Sequence, residues 1–129
     1  MNLENFRFAE SHEWAKVVDE GGDQVATIGI SAHAVETLTD LVYMDLPEVG
    51  DEVTAGDSFG EVESVKATSD LFSPVNGQII AVNSTLPDNL EILNDDPYQA
   101  GWIIKVKLAD DSGVDALLSH EAYEKMCSE

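Results

Sequence analysis

Basic residues are scarce in this chain. Lysine and arginine together number 6 against 26 aspartates and glutamates, giving a formal net charge of −20 over 129 residues. A surface of that sign repels phosphate backbones and anionic lipid, so neither nucleic acid nor membrane is an expected partner. It speeds encounters with larger proteins that carry basic patches. Solubility, or adaptation to high salt, would produce the same composition. Cysteine is rarer still. Cys127 is the only one, so there is no disulfide framework and no cysteine metal cluster. His12, His33 and His120 lie far apart in sequence with no ligand spacing, and no metal site is expected. No apolar run approaches the roughly 20 residues that span a bilayer. Met1 to Arg7 lacks both a secretory signal and the Arg-rich character of a transit peptide. The expected location is the cytoplasm, or the mitochondrial matrix if a targeting segment was removed. A nucleophile–base pair and a metal set are both missing, so the chain does not read as an enzyme.

What is present suffices for one packed core. Hydrophobic residues make up 43%, aromatics 7%, and 129 residues suit a single domain spanning 1–129. Short β-prone segments recur at Phe6–Ala9, Glu13–Val18, Gln24–Ile30, Leu41–Leu46, Glu52–Ala55, Ser58–Val65, Asp70–Phe72, Gly77–Asn83 and Trp102–Leu108. The turn Asp19–Asp23 predicts a hairpin, and Ser31 reads as the N-cap of a short helix over Ala32–Leu38. Leu86–Asp96 reads as a polar, irregular connection. The tail over 114–127 reads as one or two amphipathic helices with a break near Ser119. Many short strands with Gly and Pro turns, then helices, predict a mainly β sandwich or flattened barrel.

Lys66 stands out. It is the only basic residue between Lys16 and Lys105. It sits between two strand segments, in a hairpin over about 58–73, and is bracketed by Val65 and Ala67. A lysine amine can be acylated, which turns the side chain into a tether for a cofactor. A rigid root with a flexible arm raises the arm's effective concentration at each partner site. The plainer alternative is a solvated surface lysine.

Glu63-Ser64-Val65-Lys66-Ala67, followed by Ser73-Pro74-Val75-Asn76-Gly77, resembles the lipoyl-lysine hairpin of the glycine cleavage H-protein family. Four further segments resemble that family in the same order: Ser11-His12-Glu13-Trp14, Ile28-Gly29-Ile30, Val42 to Gly50, and Asn94 to Tyr98 with Gly101-Trp102. The chain departs from the family pattern at Leu38-Thr39-Asp40, at Leu90-Glu91-Ile92-Leu93-Asn94 and at Gln99-Ala100, departures expected to touch loop geometry and not the lysine hairpin.

The resemblance implies the barrel-sandwich hybrid of lipoyl and biotinyl domains, with lipoic acid joined to Lys66 as an amide. It implies a carrier in glycine catabolism and one-carbon metabolism. The arm takes the aminomethyl group from a pyridoxal-phosphate glycine decarboxylase to an aminomethyltransferase, and then visits a dihydrolipoamide dehydrogenase. A lipoate ligase or lipoyl transferase would load it. The sulfurs are the cofactor's, so Cys127 has no required role. A loaded arm ends in a cationic amine on a labile carbon, and carboxylates near its root would hold that amine away from water. Asp70 and Glu13 are the candidates, and His33 is a third residue for the same cleft; solvated acids are the alternative. A monomer is expected.

A biotin carrier is disfavoured, because Val65 and Ala67 stand where biotin hairpins carry methionine. A lipoyl domain of a 2-oxoacid dehydrogenase complex would have Asp in place of Val65 and a linker. A lipoyl-relay or interaction protein of the same fold remains open.

Overall fold

The computed structural model describes residues 6–38, 40–65, 67–109 and 117–127. Lys66 therefore lies outside the described residues, as do positions 114–116 of the tail. The strands are β1 (Phe6–Phe8), β2 (Glu13–Glu20), β3 (Asp23–Ile30), β4 (Leu41–Asp45), β5 (Glu52–Val53), β6 (Ser58–Ser64), β7 (Thr68–Phe72), β8 (Gly77–Val82), β9 (Ile104–Leu108) and β10 (Leu118–Ser119). Among the described residues the helices are α1 (Ala32–Leu38), α2 (Glu91–Asp95) and α3 (His120–Cys127), and a 3-10 turn spans Leu86–Asp88.

The strands form two antiparallel sheets. The larger runs β10-β1-β2-β3-β9-β8-β5 and the smaller β4-β6-β7. The β2–β3 hairpin turns at Gly21 and Gly22, with φ of 61° and 94°. Both values are costly for other residues and suit the tight turn that matches strand twist. Ser31 caps α1 as the sequence predicts: the Ala34 amide donates to its hydroxyl at 3.2 Å.

Side chains on a strand alternate between faces, and β2 uses both. Glu13, Trp14 and Ala15 are all buried. Ala15 joins the main core between the sheets, where Ile28, Ile79, Ile104 and Val106 of the large sheet meet Met44, Val62 and Leu71 of the small one. Trp14 turns the other way, into an aromatic cluster with Phe6, Phe8 and Tyr123. Its indole lies against Gly29, where an added Cβ would come within 2.7 Å of the ring. The indole N–H donates to the carbonyls of Ile30 and Pro97 at 3.1 and 3.0 Å.

Two expectations need correction. The segment read as an irregular connection holds the 3-10 turn and α2, and Leu86, Leu90 and Leu93 all enter the main core. The tail is not purely helical. Leu118 and Ser119 form β10, which pairs with β1 through Arg7↔Ser119 and Phe8↔Leu118. Helix α3 then packs Tyr123 flat on Phe8, with ring centroids 4.4 Å apart.

Candidate functional site: a cavity beside the β6–β7 hairpin

Strands β6 and β7 pair through Glu61↔Asp70, Val62↔Ser69 and Glu63↔Thr68, so the chain reverses between β6 and β7. Ser64 closes that reversal. Its amide donates to the Ala67 carbonyl at 2.8 Å, and its hydroxyl accepts from the Ala67 amide at 3.1 Å. Val65 donates its amide to the Asp40 carbonyl at 3.0 Å, yet its side chain is 66% exposed. The two neighbours of position 66 are thus held by backbone bonds while Val65 faces solvent.

A cavity of about 260 Å³ lies along this hairpin. Val62, Asp70 and Phe72 of the hairpin line one side, and Glu13, Ile30 and Leu38 line another. Glu13 is the unusual group, because it is only 2% exposed. Alternation along β2 places it on the same face as Ala15, toward the small sheet. One carboxyl oxygen accepts from the Ser11 hydroxyl. The other accepts from the Phe72 amide at 3.2 Å, a bond that ties the large sheet to the small one. Burial pushes the Glu13 carboxyl up to about 7, and these hydrogen bonds oppose the rise without cancelling it. Asp70, exposed on β7, lines the same cavity.

His33 does not line this cavity. It is exposed on α1 and faces a second hollow with Tyr98, Tyr123 and Cys127. His12 lines the first cavity instead. It is a left-handed residue, with φ of 82°, in the turn between β1 and β2. Its Nδ1 lies 2.6 Å from the Tyr123 hydroxyl, which is also 2.6 Å from the Ser31 hydroxyl. Burial, and secondarily the neighbouring His33, lowers the pKa of His12. Sequence reading missed Ser11 and His12 as lining residues. Their position beside Glu13 was the available signal.

Two facing antiparallel sheets, and a β6–β7 hairpin with Val65 and Ala67 exposed, are consistent with an acidic carrier domain of the lipoyl and biotinyl kind. The glycine cleavage H-protein family model matches residues 6–129, and the chain belongs to that family. A glycine cleavage system H protein of Rhodopirellula baltica is 61% identical over 123 residues, covering 95% of this chain and 92% of that one. Its counterpart in Chromohalobacter salexigens is 51% identical over 124 residues, covering 96% and 92%. The crystal structure of a glycine cleavage system H protein from Mycobacterium marinum superposes with a TM-score of 0.87 at 39% identity, covering 98% of both chains. The chain is accordingly the lipoyl carrier of the glycine cleavage system, a subunit that carries cargo and performs no catalysis itself.

Proposed function

We propose that Lys66 is the attachment point and that lipoic acid joined to its amine swings between the cavity and partner enzymes. The observation that carries this reading is a buried carboxyl, Glu13, set in an apolar hollow that the β6–β7 hairpin itself lines. The residues fit the group. Ile30, Leu38, Val62 and Phe72 suit the hydrocarbon and disulfide portion, and Glu13 and Asp70 suit a cationic amine at its end. When bound, the cofactor supplies the sulfur chemistry.

The chain's own residues do the rest. Among the described residues, Glu13 has no counter-cation as a hydrogen-bond partner. An arriving ammonium favours the carboxylate and expels the proton that burial retains. Water is displaced by the apolar walls while the amine is held, which protects the labile carbon beside it. The partners are the pyridoxal-phosphate glycine decarboxylase, the aminomethyltransferase and the dihydrolipoamide dehydrogenase, met by a monomeric carrier in the cytoplasm. His33, on the other side of His12, takes no part in this pocket.

Intact mass tests the attachment. Co-production with a competent lipoate ligase is expected to add one lipoyl amide, mapped to residue 66 and lost in Lys66→Arg. A chain that stays bare overturns the assignment. Timing hydrolysis of the loaded arm tests the pocket. A charge-assisted bond worth about 1.5 kcal/mol corresponds to roughly a tenfold shorter lifetime in Glu13→Gln. An unchanged lifetime in Glu13→Gln and in Asp70→Asn removes the sheltering role and leaves the carrier role intact.

A further inference from the structure

His33 and Cys127 of the second hollow meet His12, which lines the arm cavity next to it. One ring nitrogen of His12, one of His33 and the sulfur of Cys127 all lie within 4.8 Å of one another. They come from three separate elements: the β1–β2 turn, α1 and the last turn of α3. We propose that His12, His33 and Cys127 form a His2Cys site for a transition ion of borderline softness, zinc(II) or its analogues, that fastens α3 to α1.

The donor chemistry selects the ion class. Two imidazoles and one thiolate suit zinc and its neighbours, and they suit calcium or magnesium poorly because those ions take oxygen ligands. Bonds of about 2.0 Å to nitrogen and 2.3 Å to sulfur set donor separations near 3.5 Å in a tetrahedral site. The three donors must therefore close by about 1 Å, and exposed His33 is the one with room to move. Cys127 ends the short helix α3.

His12 is the anchored member. Its backbone is left-handed, and Nδ1 rests 2.6 Å from the Tyr123 hydroxyl. Such an outer hydrogen bond is how metal-binding histidines are held in orientation. The two imidazoles already approach with centroids 4.9 Å apart. Three protein donors leave a fourth position for water, or for His120 or Glu124, which share the hollow. Binding releases the thiol proton. Because His12 also lines the arm cavity, the ion would fix one wall of that pocket.

Cobalt(II) titration of the full chain, produced without lipoate and reduced with a phosphine, tests this. Omitting lipoate removes the other source of thiols. The expected result is one cobalt per chain, with intense visible bands of tetrahedral cobalt and a near-ultraviolet thiolate charge-transfer band. Zinc(II) is expected to displace it. Cys127→Ser should lose the charge-transfer band, and His33→Ala should weaken binding at least about tenfold. Glu52→Gln, remote from the hollow, should change neither. Absence of a stoichiometric thiolate band in the unmutated chain overturns the proposal. So does weak multi-site binding that survives Cys127→Ser and His33→Ala, since that is the behaviour of scattered surface carboxylates.

Discussion

Glu13 couples the arm pocket to pH. Its carboxyl titrates at about 7 in the folded chain and near 4.5 when unfolded. The unfolded state therefore loses this proton first as pH rises. The contribution to stability is complete below about 4.5 and disappears as pH rises through about 7. The span amounts to roughly 3 kcal/mol at most. Glu13→Gln, compared with the unmutated chain by urea unfolding from pH 4.5 to 8 in chelator-containing buffer, is expected to remove that slope. Parallel curves would mean the carboxyl titrates normally. Gly29 offers a second check. A methyl there meets the Trp14 ring, so Gly29→Ala should cost about 1–3 kcal/mol and alter tryptophan fluorescence. At this scale the sequence was informative where chemistry and motif agreed. Glu13 and Asp70, named from the chain alone, line one cavity. His33 does not join them, because the turn of α1 on which it sits faces α3, and contacts between distant segments leave no local trace.

Elements divide in the same way. The β6–β7 hairpin and the Ser31 cap were readable because turn chemistry and alternation are local signals. Helix α2 was not read, although Leu86, Leu90 and Leu93 recur at spacings of four and three, the pattern of one helical face. Five residues are too few for periodicity to stand out against Asp88, Asn89, Glu91, Asn94 and Asp95. Leu93 is fully buried in the main core, so Leu93→Ala is expected to lower stability by about 2–5 kcal/mol in denaturant titration. A loss under 1 kcal/mol would place that leucine in a site able to collapse. Strand β10 was unreadable for a different reason. Two residues carry no period, and their extended form is imposed by pairing with β1 across the length of the chain.

The molecule as a whole carries 26 acids against 6 bases, and that imbalance stores repulsion in the folded state. Screening relieves it, so the melting temperature is expected to rise between low salt and molar salt. A flat or falling curve would mean that the acids are spaced too widely to feel one another. The fold class was legible because many short strands with Gly and Pro turns admit few architectures. The division into two sheets was not, since it depends on which distant strands meet. One such meeting has a bearing on synthesis. Strand β1 leaves the ribosome well ahead of its β10 partner, because Phe8 pairs with Leu118. Until Leu118 and Tyr123 have emerged, that edge and the Phe8 ring beside it lack their covering. A nascent chain stalled before Leu118 would offer a bare strand to any neighbour, and such truncated products are the ones expected to aggregate and be degraded.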